Sequence, residues 1–190
     1  MKFLLHSCCA PCAAYVIKEL KERGFEVAAF FYNPNIFPMS EYEKRRDELK
    51  KYCEENKIEF IEGEYNHKAW LENLVKSLGL GHLSKERSFA ALRIKFKEGG
   101  RRCEACYKLR LEETVKLAKK DGYDFWGSTL SISPHKKAEK INDIGQNLQK
   151  RYAVKFFKAD WKKKNGFKLA CELSKRQDFY RQNYCGCEFS

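Results

Sequence analysis

Short apolar runs alternate along the chain with longer stretches in which apolar residues recur every three or four positions. Residues 2–7 form such a run, residues 13–23 have helical spacing, and residues 25–32 form a second, aromatic-rich run. This pattern predicts strand, helix, strand. Gly24 stands where the first helix should stop, and Asn33-Pro34-Asn35 is a turn signal closing the second strand. Ser40-Glu41-Tyr42-Glu43 reads as a capping box that opens a charged helix to about Lys57, with a third strand over residues 58–61. Residues 69–78 and 85–96 read as helices closed by Gly99-Gly100, and a long helix follows Cys106 over residues 107–120 until Asp121-Gly122. A strand over 123–128, a helix over 136–150 and a last strand over 153–157 complete the pattern.

Strands separated by helices of this length imply a parallel sheet with right-handed crossovers. The expected fold is a three-layer α/β domain of about five strands, spanning residues 1–190, with a helical insertion over 67–106 and a helical C-terminal tail over 165–190. Ligands in such sheets bind outside the carboxyl ends of the strands, near the switch point. The loop after the first strand, with Cys8, Cys9 and Cys12, and the loop after the fourth, with Ser131, Ser133 and His135, should therefore face one crevice.

Composition narrows the class of protein. The 190 residues are 43% hydrophobic with a net charge of +12, enough for one real core, and 11 Gly with 4 Pro leave no room for a fibrous or solenoid reading. Nothing approaches the roughly 18 consecutive apolar residues of a membrane helix. The opening apolar run, Phe3 to Leu5, is shorter than the ~7–15 residues of a signal peptide, so a cytoplasmic protein without a membrane partner is expected. Positive charge of this size favours a polyanionic partner, nucleic acid first, although a merely soluble basic surface has the same balance.

The nine cysteines change the picture most. Seven fall in three clusters: Cys8-Cys9-Ala10-Pro11-Cys12, Cys103-Glu104-Ala105-Cys106 and Cys185-Gly186-Cys187. An odd count and the absence of an export signal argue against a disulfide scaffold, and clustered thiols in a reducing compartment point to metal ligands or a redox couple. Cys53 and Cys171 read as small core or interface residues. Cys103 and Cys106 stand at the mouth of a helix whose N-terminus favours thiolates. With Cys8 and Cys9 they supply four thiolates, a set that suits a structural zinc or an iron–sulfur cluster. The surplus of thiols beyond four favours redox chemistry. Cys185 and Cys187, separated by one residue, form a redox pair, the ligands of a second metal, or a structural clip for the tail.

Four motifs in order resemble the cobalamin-independent epoxyqueuosine reductases of the QueH type. They are His6-Ser7-Cys8-Cys9-Ala10-Pro11-Cys12, Arg102-Cys103-Glu104-Ala105-Cys106-Tyr107-Lys108-Leu109-Arg110-Leu111, Ser128-Thr129-Leu130-Ser131-Ile132-Ser133-Pro134-His135-Lys136, and Ser174-Lys175 through Phe179-Tyr180-Arg181-Gln182-Asn183-Tyr184-Cys185-Gly186-Cys187. The resemblance spans essentially the whole chain. It implies reduction of epoxyqueuosine to queuosine at the tRNA wobble position and a Rossmann-like, nucleotide alpha-hydrolase-like fold. It further implies a [4Fe-4S] cluster on Cys8, Cys9, Cys103 and Cys106, with Cys185 and Cys187 as the redox pair or as ligands of a second, mononuclear iron. The role of Cys12 stays open, and an unidentified electron donor is required.

Loss of the epoxide oxygen as water needs a proton donor, for which His135 is the first candidate and His6 the second. For RNA, the stretch Lys85, Arg87, Arg93, Lys95, Lys97, Arg101 and Arg102 runs into Cys103. Arg110, Lys136 and Arg181 add charge, while Tyr107, Tyr180 and Tyr184 offer rings for a splayed base. Lys162-Lys163-Lys164 reads as a solvated basic loop. Two rivals remain. One is an ATP-using tRNA thiolation enzyme of the same fold, disfavoured because Ser7-Cys8-Cys9 is no Ser-Gly-Gly phosphate loop. The other is a zinc-stapled RNA-binding module, which leaves the extra thiols unexplained.

Overall fold

The structure is a computed structural model, and it describes residues 1–94, 96 and 98–190. Apolar alternation builds five parallel strands: β1 (Lys2–His6), β2 (Glu26–Phe31), β3 (Glu59–Glu62), β4 (Phe125–Ser128) and β5 (Lys155–Phe156), in the order β3-β2-β1-β4-β5. The helices are α1 (Ala10–Glu22), α2 (Met39–Glu55), α3 (His67–Ser77), α4 (Lys85–Ile94), α5 (Arg101–Lys120), α6 (Ala138–Tyr152) and α7 (Gly166–Arg176).

The period of two sorts the strand side chains into two cores. Phe3, Leu5, Val27, Ala29 and Phe31 pack with α1, α2 and α7 on one face. Leu4, Ala28, Phe30 and Trp126 pack with α5 and α6 on the other. A third cluster, built on Trp70, Leu71, Leu74, Leu80 and Leu92, is formed by α3, α4 and the segment between them, and Cys106, Cys187 and Phe189 pack into it. Each fully buried Leu or Phe here would cost about 2–5 kcal/mol to truncate to Ala.

Strand order reverses between β1 and β4, so their carboxyl ends form the switch point. The expected fold class stands, and its boundaries move in several places. Helix α1 begins at Ala10 with Pro11 in its first turn, where a missing N–H costs nothing, so Cys12 is helical and Cys9 is the N-cap. Helix α2 is N-capped by Pro38 and Ser40 lies inside it without a capping bond, so the capping box is not used. Helix α5 starts at Arg101, six residues before the sequence expectation, which places Cys103 and Cys106 within the helix one turn apart. Strand β5 has two residues, and Ala153, where the pattern starts that strand, is instead the left-handed C-cap (φ 58°) of α6. Of the basic stretch, Lys95 and Lys97 lie outside the described residues.

Candidate functional site

The loops after β1 and β4, the start of α5 and the C-terminal tail enclose a cavity of about 520 Å³. Cys8, Cys12, Cys103 and Cys185 line it, with Ser133, His135, Lys136, Tyr107 and Arg110. All three thiol clusters thus reach a single space, the first through two of its residues, while Cys9 and Cys106 are buried.

Local structure explains the placement. Strand β1 delivers Cys8 and Cys9 to its carboxyl end, and Cys12 follows as the third residue of α1. Cys103 is likewise the third residue of α5. Two helix N-termini therefore present thiols, Cys12 and Cys103, in their first turns. The sulfurs of Cys8, Cys9 and Cys12 lie within 4.8 Å of one another, with Cys8 Sγ 3.8 Å from Cys9 Sγ and 3.7 Å from Thr129 Oγ1. Cys12 is a candidate catalytic residue in the sequence with its role open; the start of α1 at Ala10 brings it beside the other two. Gly99 N–H donates to Cys103 Sγ at 3.2 Å.

Charge is unequal across the trio. Hydrogen bonds from Cys12 and Cys9, aided by the nearby Lys136 and Arg110 cations, hold Cys8 well below the ordinary thiol range. A contact with Cys12 draws Cys9 down, but the Cys8 sulfur and burial outweigh it and push Cys9 up to about 12. Cys12 is raised by its contacts with Cys8 and Cys9 and by burial. Burial pushes Cys106 up to about 11 and raises Cys103 and Cys187. Burial opposes the charge of Lys136, yet the thiols of Cys185, Cys8 and Cys12 reverse that and raise it. Cys8 is thus the thiol held toward its anion, with Lys136 and Arg110 as the nearby cations, and the thiols around it are held toward the neutral form.

The other expected residues divide by burial. Arg102 is 3% exposed and donates to Leu92 O and Phe189 O, so its guanidinium is a structural tie and not a surface phosphate ligand. Arg110, 2% exposed, donates to Asn33 Oδ1, whose amide in turn donates to Ser7 O. It fixes the loop after β1 from inside. Tyr107 is buried on the cavity wall, whereas Arg101, Arg181 and Tyr184 are exposed. Tyr180 is half-buried, with its hydroxyl on Glu41 and Lys44 Nζ 3.5 Å from its ring centre. Its face is occupied.

His6 departs from the expectation of a proton donor. It is fully buried, its Nε2–H donates to Tyr32 O, and Ser128 O–H donates to its Nδ1 at 2.9 Å. Burial, reinforced by Arg110, pushes its pKa down to about 3, so it stays neutral. His135 is exposed at the cavity mouth. Lys162 is not a solvated residue: its Nζ donates to Ser131 O and Lys136 O and ties the β4 loop. Cys53 is buried as expected, but Cys171 lines the cavity and accepts from Arg181. Sequence reasoning missed Arg45 and Gln182, both on this cavity, because a contact across more than a hundred residues leaves no periodic signal.

No helix among the described residues is long and apolar enough to cross a membrane. By overall shape the chain is similar to a predicted subunit of tRNA methyltransferase from Methanocaldococcus jannaschii (TM-score 0.56, 14% identity, 90% of this chain and 74% of that one). It is also similar to the U34-tRNA thiolase NcsA from Methanococcus maripaludis with its [4Fe-4S] cluster (TM-score 0.54, 15% identity, 100% and 60%). At that identity the likeness concerns the fold. Sequence relatives are nearer. Epoxyqueuosine reductase QueH of Staphylococcus epidermidis is 37% identical over 195 residues, covering 100% of this chain and 76% of its own. That of Thermotoga maritima is 36% identical over 190 residues, covering 98% and 88%. The family described as "Epoxyqueuosine reductase QueH" matches residues 3–190, and the chain belongs to that family.

Proposed function

We infer that this protein is an oxidoreductase that reduces epoxyqueuosine to queuosine in tRNA. The observation that carries the reading is the meeting of three separate thiol clusters on one cavity in a chain that matches the reductase family from residue 3 to 190.

The donor set fits a thiolate-held iron–sulfur group: three sulfurs within 4.8 Å, two more on the first turns of α5, and cations beside them to offset the negative charge. Cys8, Cys9, Cys103 and Cys106 would hold a [4Fe-4S] cluster, which supplies one electron at a time. Cys12, packed against Cys8 and Cys9, is then left to hold a ligand of its own or to shield the pair.

The reaction takes two electrons and two protons. Two C–O bonds of the epoxide break, a C=C bond forms, and the oxygen leaves as water; an external one-electron donor supplies the electrons in turn. Cys185 lines the cavity, while Cys187 packs into the apolar cluster of the insertion, which supports Cys185 as the member of the pair that meets substrate. The pair, oxidised from two thiols to a disulfide, gives both electrons and both protons and is then reduced again by the external donor, or it instead holds a mononuclear iron. His135, exposed at the mouth, delivers a proton to the departing oxygen. Lys136 and Arg110 keep positive charge beside the sulfur anions as electrons arrive. Arg101 and Arg181, both exposed near the cavity, take tRNA phosphates, and the exposed Tyr184 ring stacks a base.

Metal and sulfide analysis of protein purified without oxygen tests the reading. About four irons and four sulfides per chain support it, with surplus iron marking a second site. One tightly held zinc without sulfide, persisting after reconstitution, would overturn it in favour of a zinc-stapled RNA-binding module.

A further inference from the structure

The tail that carries Cys185 is held by a face of α2 that the chemistry above does not use. Glu41, Arg45 and Glu48 lie at i, i+4 and i+7 on that helix, so they share one side of it. Glu48 accepts from Tyr180 N–H at 2.6 Å, and Glu41 accepts from the Tyr180 hydroxyl at 3.1 Å. Between them stands Arg45, 2% exposed, a position arginine rarely occupies without a specific partner.

Its partners define a clamp. Arg45 Nε donates to Glu41 Oε1 at 2.6 Å, Nη1 donates to the carbonyl of Cys185 at 3.1 Å, and the guanidinium carbon lies 5.3 Å from the centre of the Tyr184 ring. The next residue, Gly186, fits only because it has no side chain. A Cβ there would sit 2.9 Å from Arg45 Nη1, and its φ of +94° is a backbone that other residues rarely adopt. On the far side of the turn, Phe37 N–H donates to Gly186 O at 2.8 Å, and Ile36 bridges Cys187 in antiparallel fashion. The Cys185-Gly186-Cys187 turn is thus gripped from both sides, and the guanidinium grips the side that faces the cavity.

We propose that Arg45 is the positioning residue of the tail thiol: by holding the Cys185 carbonyl from an ion pair with Glu41, it fixes the Cys185 sulfur at the cavity shared with Cys8, Cys12 and Cys103. Arg45 does not touch the other thiols; it acts through Cys185. The ion pair of buried Arg45 with half-buried Glu41 removes the freedom of a long side chain in advance, so the bond to Cys185 O is made by a group already in place. The inference rests on the reading of Cys185 as the thiol that meets substrate, but its geometry does not.

The test uses holoenzyme with Arg45→Met, Arg45→Lys and, as a variant that leaves Arg45 intact, Gly186→Ala. Two quantities are read: the rate at which iodoacetamide alkylates Cys185, followed by peptide mass spectrometry, and kcat separately from KM for epoxyqueuosine tRNA. Arg45→Met should lower kcat by about a hundredfold, the scale of a one-ångström misplacement, with KM within about twofold. It should also raise Cys185 alkylation severalfold, while iron and sulfide content stay at the wild-type level. Arg45→Lys restores part of both, because a single ammonium nitrogen stands in for the two guanidinium nitrogens that bond Glu41 and Cys185, and Gly186→Ala reproduces the Arg45→Met pattern. Unchanged alkylation of Cys185 in both Arg45→Met and Gly186→Ala overturns the proposal. If Arg45→Met fails to fold, Gly186→Ala decides alone. A wild-type protein inactive on epoxyqueuosine whose Cys185 still becomes exposed in the variants keeps the positioning role and rejects the reductase reading.

Discussion

Gln182 Nε2 donates to Cys9 Sγ across 3.0 Å, joining the C-terminal tail to the loop after the first strand. An N–H directed at a ligand sulfur stabilises the more negative, reduced state of a thiolate-held cluster. Gln182→Leu keeps the size of the side chain and removes that donor. The reduction potential of the proposed cluster on Cys9, followed by redox titration with electron paramagnetic resonance, should move to a more negative value in this variant at unchanged iron content. An unshifted potential would show that the contact does not reach the cluster.

Cys185→Ser tests the tail thiol. The variant should retain the visible absorbance of the cluster and lose at least about a hundredfold in turnover, as expected when a group that acts in the transition state is removed. Wild-type turnover would remove Cys185 from the reaction.

Burial separates two neighbouring arginines that the sequence grouped as one basic patch. Arg101→Ala, on an exposed residue, should weaken tRNA binding and lower the salt dependence by roughly one counterion, with thermal stability unchanged. Arg102→Ala breaks two hydrogen bonds to Leu92 O and Phe189 O, and should instead destabilise the fold by about 2–3 kcal/mol, measured by denaturant titration. Equal effects of the two variants on both quantities would contradict this division.

Cys53 gives a pH signature away from the site. It is fully buried in the α2 core, and burial, with Glu54 adding, pushes its thiol up to about 12. The unfolded thiol ionises near pH 9, so the folded state holds the proton longer. Stability from this group is complete below pH 9 and is lost as pH rises toward 12, at about 1.4 kcal/mol per unit. Cys53→Ala should flatten that alkaline limb of the stability curve; an identical slope in the variant would refute the assignment.

The alternation of Phe3, Leu4 and Leu5 and the Gly24 and Asp121-Gly122 stops make the layered sheet legible in the sequence, and the cysteine spacing marks the crevice. Helix starts were less legible. Pro11 and Gly100 open α1 and α5 without an apolar stripe to announce them, so the pattern leaves Cys12 in a loop and Cys103 just ahead of its helix. Arg45 was hidden for a different reason. Its local pattern, Glu41-x-x-x-Arg45, is that of an ordinary solvated helix pair, and only tertiary packing buries it against Cys185. His6 looked like a candidate acid because its neighbours are cysteines, but a strand end under two cores leaves it a neutral hydrogen-bonding residue.

The central claim is a chemical conversion, and product analysis reaches it directly. Protein purified and reconstituted without oxygen is mixed with tRNA carrying epoxyqueuosine and a one-electron reductant, and the digested nucleosides are resolved by mass spectrometry. The account predicts queuosine, lighter than its precursor by one oxygen, in amounts exceeding the enzyme and dependent on bound iron and sulfide. Unaltered epoxyqueuosine in the presence of cluster-loaded, reduced protein would contradict it.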